Sequence, residues 1–118
     1  DATFRGGCIS PGMKTRFRAL HDYTAKLPLC AATESEELAG LTTRQAIELG
    51  VMNGIAFEIE GYAARMRSQI DDLCVIFTGG DANFFVKRIK NTIFANCNLV
   101  FCGLNRILEY NASEEHLN

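Results

Sequence analysis

Val75-Ile76-Phe77-Thr78-Gly79-Gly80-Asp81 is the stretch on which the fold turns. Three apolar residues, with Cys74 before them, run without polar alternation, the pattern of a short strand covered on both faces in a sheet between helices. The two glycines that follow lack Cβ atoms, so the backbone can turn sharply and a flat or anionic group can approach its N–H groups. Asp81 stands where an N-cap belongs, ahead of a helix expected from Ala82 to about Lys90. Strand, Gly-Gly and helix start suit a nucleotide-binding turn at the carboxyl edge of an α/β sheet. They also suit a plain connector, so the rest of the chain has to discriminate.

Downstream, Ile93-Phe94-Ala95 reads as a second strand, and Asn98 as the cap of a last helix carrying Leu99, Cys102, Leu104, Ile107 and Leu108. A polar tail begins at Asn111. Upstream, Ala46, Ile47, Val51, Ile55, Ile59, Tyr62, Met66 and Ile70 keep close to a 3.6-residue period, which predicts one long helix from about Thr43 to Asp72. Thr42 and Gln45 have the separation of a capping box at its start. Gly50, Gly54 and Gly61 lie inside it, each costing about 1 kcal/mol relative to alanine. Gly50 and Gly54, one turn apart, would offset that cost by admitting another backbone, either within the fold or across a symmetric dimer.

In the first forty residues, Phe4, Cys8 and Ile9 suggest a strand interrupted at Gly6-Gly7 by a bulge or a close approach. Ser10-Pro11-Gly12 then supplies an N-cap and a proline at the first helical position. Met13, Phe17, Leu20 and Thr24 follow at helical spacing, and the helix should end near Tyr23. Thr24 to Leu29 is too apolar for a solvated loop and is expected to pack down, with Pro28 holding Leu27 extended. Glu34, Glu36 and Glu37 read as a solvated loop.

A chain of 118 residues that is 47% hydrophobic can bury a core as one compact domain. A net charge of -2 provides no field for nucleic acid, and the basic clusters, Lys14, Arg16 and Arg18 in one helix and Lys87, Arg88 and Lys90 in another, read as solvated helix faces. No apolar run approaches a membrane span, and no basic-then-apolar leader opens the chain, so a soluble, non-secreted, cytoplasmic protein is expected. Five cysteines without a Cys-x-x-Cys pair read as small buried hydrophobes in a reducing compartment. His21 and His116 have no partner at ligand spacing, which argues against a metal site in this chain. Asp1 is no initiator, and the visible strands are too few for the helices, so an upstream portion is expected.

Taken in order, the motifs are Gly6-Gly7-Cys8-Ile9-Ser10-Pro11-Gly12, Thr24-Ala25-Lys26-Leu27-Pro28, Gly40-Leu41-Thr42-Thr43 with Ala46-Ile47 and Gly50, Thr78-Gly79-Gly80, and Leu99 with Gly103-Leu104. This series resembles the C-terminal half of type III pantothenate kinases, some members of which are also labelled Bvg accessory factor-like. The resemblance runs from Phe4 to Asn111 and rests on order and spacing, since no single motif is specific.

The resemblance implies an α/β fold: the C-terminal half of an actin-like kinase built from ribonuclease H-like halves, with a long central helix and an incomplete mixed sheet. Residues 1–118 would be its C-terminal ribonuclease H-like domain. It further implies ATP-dependent phosphorylation of pantothenate, with Mg2+ and a monovalent cation (K+ or NH4+), in a homodimer. By resemblance Thr43 contacts pantothenate, Thr78, Gly79 and Gly80 lie on the nucleotide side, and Gly6, Gly7, Pro11 and Gly12 shape the cleft. The family's phosphate motif, catalytic aspartate and cation-binding aspartate belong upstream, in the N-terminal half of the same protein, so this chain is expected to hold no catalytic residue and no metal ligand. Asp81 and the glutamates at 34, 36 and 37 are better explained as a helix cap and a solvated loop. Two other readings stay open: a non-catalytic, transcription-linked accessory protein of the same fold, and an actin-like kinase for another hydroxylated small molecule.

Overall fold

The computed structural model describes residues 3–89 and, as backbone, the strand Ile93–Ala95. The helix expected from Asn98, the tail from Asn111, and Cys97, Cys102 and Gly103 lie outside the described residues. Five elements follow one another: α1 (Met13–Asp22), α2 (Thr43–Arg67), β1 (Val75–Phe77), α3 (Ala82–Arg88) and β2 (Ile93–Ala95). The chain divides into two compact units, residues 1–58 and 59–118, with the division falling inside α2.

In the first unit α1 begins two residues later than Pro11, with Gly12 at the cap position and no side-chain cap bond. Ser10, expected to cap it, instead donates its hydroxyl proton to Glu58. The strand expected around Phe4, Cys8 and Ile9 does not form among the described residues. Phe4 and Ile9 are almost fully exposed, so no buried face rewards a ladder there. Gly6 does adopt a φ of +106°, the left-handed region in which a Cβ would be strained.

α1 buries Met13 and Phe17 and ends at Asp22 with Tyr23 as its C-cap, close to the end expected near Tyr23. The segment beyond it is tied back: the His21 Nδ1–H donates to the Leu27 carbonyl at 2.8 Å, and Thr24 donates its hydroxyl proton to the Leu20 carbonyl. Leu27 and Pro28 are half-buried and Cys30 is buried, while Leu29 stays exposed, so the apolar segment packs down in part.

α2 opens with the capping box that Thr42 and Gln45 predict. The Gln45 N–H donates to Thr42 Oγ1 at 3.1 Å, and Gln45 Oε1 accepts from the Leu41 N–H at 2.9 Å, one residue upstream of the usual return bond. From Ile47 to Ala56 the helix is buried around most of its girth, including Leu49, Val51, Met52, Asn53 and Ile55, not along the single stripe that the period suggested. Asn53 is satisfied there by donating to the Glu37 carbonyl at 2.7 Å, which ties the acidic loop to the helix.

α2 ends at Arg67, short of the expected Asp72, and of its last expected apolar positions Tyr62, Met66 and Ile70 are all half-exposed. With little burial to reward another turn, the chain reverses and Asp72 takes a φ of +57°, a conformation aspartate tolerates. β1 and β2 then pair in parallel, Val75 opposite Ile93 and Phe77 opposite Ala95, with α3 as the crossover. This β–α–β arrangement matches the strand–turn–helix reading, with one correction. The two described strands pair in parallel, and β1 is not covered on both faces: Ile76 is 49% exposed.

Candidate functional site

The candidate residues fall in both units. Thr43, the first residue of α2, has an exposed side chain on the wall of an open groove of about 700 Å³. α1 contributes Arg16, Ala19 and Leu20 to that groove, the following loop contributes Leu27, and α2 contributes Ala46, Ile47, Gly50 and Val51 beside Thr43. Because Thr42 is the residue whose hydroxyl caps the helix, the Thr43 hydroxyl is not used for capping. The groove is apolar except for Thr43 and Arg16, so any ligand in it would meet one hydroxyl, one guanidinium and a hydrocarbon wall.

Arg16 is held by three neighbours. Its Nε–H donates to the Pro11 carbonyl at 2.8 Å, its Nη2 pairs with Glu58 Oε2 at 2.7 Å, and its Nη1 lies over Gly54, where a Cβ would stand 3.6 Å away. Glu58 thus receives two donors, from Ser10 and from Arg16, and these hydrogen bonds hold its carboxyl below the usual glutamate range. No local pattern marks this cluster, since Ser10 and Glu58 are 48 residues apart.

The close backbone packing within the fold expected at Gly50 and Gly54 is not found among the described residues: Gly50 faces open space on the groove, and a Cβ on Gly54 would touch only the Arg16 guanidinium, at an ordinary 3.6 Å. The close backbone approach is at Gly40, where a Cβ would stand 2.5 Å from the Ala46 nitrogen. Of the residues expected to shape the cleft, Gly6, Gly7, Pro11 and Gly12 are all exposed, and Pro11 is linked to the groove through its carbonyl bond to Arg16.

In the second unit, Thr78, Gly79 and Gly80 follow β1 as an exposed turn. Gly79 adopts a φ of +101°, and a Cβ on either glycine would meet nothing within 4 Å among the described residues. Asp81 occupies the N-cap position of α3, but its side chain makes no cap bond; its carbonyl accepts from the Phe84 N–H at 3.2 Å. No three His, Cys, Asp or Glu side chains among the described residues converge as metal ligands. The cysteines depart from expectation, with Cys30 buried but Cys8 and Cys74 exposed. No helix among the described residues is long and apolar enough to cross a membrane.

Comparison with known proteins bears on the groove first. The family model for type III pantothenate kinase matches residues 1–65, a span that includes α1, Thr43 and Glu58. Similar proteins carrying that name include one from Flavobacterium psychrophilum, 50% identical over 107 residues, covering 91% of this chain and 44% of the relative. One from Flavobacterium johnsoniae is 45% identical over the same length, with the same coverage. A third, from Christiangramia forsetii, is 43% identical over 114 residues, covering 97% of this chain and 47% of the relative. The chain therefore spans less than half the length of these relatives. With more than half of its residues under the family model and identity of this order along nearly all of its length, the chain belongs to the type III pantothenate kinase family.

Proposed function

We propose that this chain is the C-terminal, ribonuclease H-like half of an actin-like kinase that phosphorylates pantothenate with ATP, the first step of coenzyme A synthesis. The observation that carries the reading is the family match over residues 1–65, within which Thr43 stands exposed on the wall of an open groove with its neighbour Thr42 acting as the cap.

In this reading the pantothenate hydroxyl oxygen attacks the γ-phosphorus of ATP, ADP leaves, and the hydroxyl proton passes to a carboxylate base. That base belongs to the N-terminal half. The residues of this chain bind and orient: the Thr43 hydroxyl hydrogen-bonds a polar group of pantothenate, and the helix N-terminus beside it favours the substrate's negative end. The Thr78-Gly79-Gly80 turn receives the nucleotide, its open upper face leaving room for a close approach to the backbone. By the family resemblance, Mg2+ and the K+ or NH4+ ion would be held by residues of the N-terminal half, and no step is routed through them. A cytoplasmic homodimer completes the proposal.

A coupled assay of ADP release on the full-length protein, with pantothenate and a panel of other hydroxylated acids, tests it. Turnover restricted to pantothenate is expected. Turnover on another acid alone would reassign the substrate. No turnover, together with salt-sensitive DNA binding, would favour the accessory-protein reading.

A further inference from the structure

Ser10, Arg16 and Glu58 form a cluster that neither helix formation nor the proposed chemistry requires. Glu58 presents one carboxylate oxygen to each donor: Oε1 to the Ser10 hydroxyl, and Oε2 to Arg16 Nη2 at 2.7 Å. The donors come from different segments, Ser10 from the loop before α1 and Arg16 from α1 itself, while Glu58 projects from α2. Arg16 also binds the loop through the Pro11 carbonyl at 2.8 Å, so loop, first helix and second helix are joined by three hydrogen bonds. The guanidinium passes beside Gly54, one turn before Glu58, where a Cβ would stand 3.6 Å from Nη1.

The side chains of Arg16 and Glu58 are 22% and 32% exposed, and pairs this accessible contribute little to stability. What two charge-assisted bonds to one carboxylate do well is fix geometry. Arg16 is also a wall of the groove that carries Thr43, so its placement sets the shape of that groove.

We propose that Glu58 is a positioning residue for substrate: its carboxylate holds the Ser10-Pro11 loop and Arg16 in register, and thereby sets the α1 wall of the groove that Thr43 also lines. The effect on substrate rests on the pantothenate kinase reading; the latch itself does not. Glu58 touches no reacting atom and acts through Arg16 and the loop.

The experiment uses the full-length enzyme with Glu58→Ala, Glu58→Gln, Ser10→Ala and the double variant Ser10→Ala/Glu58→Ala. Glu58→Ala should raise the KM for pantothenate about tenfold, with kcat and the KM for ATP close to wild type and Tm only slightly lowered, because the loss is chiefly one of placement. Glu58→Gln keeps an acceptor for Ser10 and should recover part of that loss, while the double variant should be no worse than Glu58→Ala. Hydrogen exchange supplies a readout independent of activity: the Arg16 amide, which donates to the Gly12 carbonyl at 3.0 Å, should exchange about tenfold faster in Glu58→Ala. Equal rises in both KM values with a markedly lowered Tm would overturn the positioning role in favour of a merely structural one. Unchanged exchange would overturn the latch itself. Should the wild-type enzyme fail to phosphorylate pantothenate, the kinase reading fails, and the exchange comparison still decides the latch.

Discussion

A Cβ on Gly40 would stand 2.5 Å from the backbone nitrogen of Ala46, closer than any real side chain tolerates. The chain entering α2 therefore passes against the helix's own first turn, and the obstacle is backbone that cannot rotate away. Gly40→Ala should destabilise the protein by about 1–3 kcal/mol through overpacking, read as a lower urea midpoint with an unchanged slope. Gly50→Ala is the control. It faces open space in a helix, so it should be neutral or stabilise by up to about 1 kcal/mol. Loss of stability in Gly50→Ala to match that in Gly40→Ala would mean that the groove wall is covered in the full protein.

Thr42 and Thr43 are adjacent and have separable tasks. Thr42→Val removes the acceptor for the Gln45 N–H and should cost about 1 kcal/mol of stability with little effect on kinetics. Thr43→Val removes a hydroxyl from the groove wall and should leave folding near normal while raising the KM for pantothenate by the equivalent of about 1–3 kcal/mol. Steady-state kinetics and denaturant unfolding on the same two variants check both expectations. An exchange of the two phenotypes would shift the substrate contact by one residue.

The two glycines after β1 do not make equivalent tests. Gly79 has a φ of +101°, so any substitution there strains the turn before it can block a ligand. Gly80 lacks that constraint and has open space where its Cβ would go. Gly80→Val should therefore weaken ATP binding much more than pantothenate binding, as measured by calorimetric titration of each ligand. Normal ATP affinity in a folded Gly80→Val protein would return the turn to the role of a plain connector.

Glu58 makes stability depend on pH in a defined direction. Its carboxyl is held below the ordinary value of 4.5 by the Ser10 hydrogen bond first and the Arg16 hydrogen bond second, so the folded state binds its proton less readily than the unfolded chain. The contribution is fully present above that ordinary value and is lost as pH falls through it toward the lowered folded value. The difference in urea midpoint between wild type and Glu58→Gln should accordingly be greatest near neutral pH and shrink below pH 4.5. A difference that stayed constant through this range would show that the unfolded and folded carboxyls titrate alike.

The legible parts of this chain were those whose signals act over a few residues. Thr42 and Gln45 announce the start of α2 because both ends of their hydrogen bonds lie within one turn. Val75–Phe77, Ala82 and Ile93–Ala95 announce a strand, a helix and a strand because apolar runs and Gly-Gly are local features. Ser10 was misread as a cap because its partner is Glu58, and nothing around Ser10 marks a carboxylate so distant in sequence. Close backbone packing within the fold at Gly54 was misread for the same reason: sequence shows a missing side chain but not what lies beside it, here the guanidinium of Arg16. The continuous apolar character of β1 suggested cover on both faces, yet Ile76 is half-exposed, because apolarity states what a residue tolerates and not what lies beside it. Among site residues, Thr43 was found through the family's motif order, whereas Arg16 passed as one of three basic residues on a solvated helix.

The Ser10–Glu58 and Arg16–Glu58 bonds close segments of 48 and 42 residues, whereas the Gln45–Thr42 bond closes three. Closing a long segment costs more chain entropy and depends on both helices already standing, so the two kinds of contact belong to different moments of folding. The capping box at the head of α2 is available to a nucleus; the carboxylate latch is not. Weakening the cap with Thr42→Val should slow refolding, whereas weakening the latch with Glu58→Gln should leave the refolding rate alone and hasten unfolding. The groove wall would then be the last part of the first unit to set and the first to loosen.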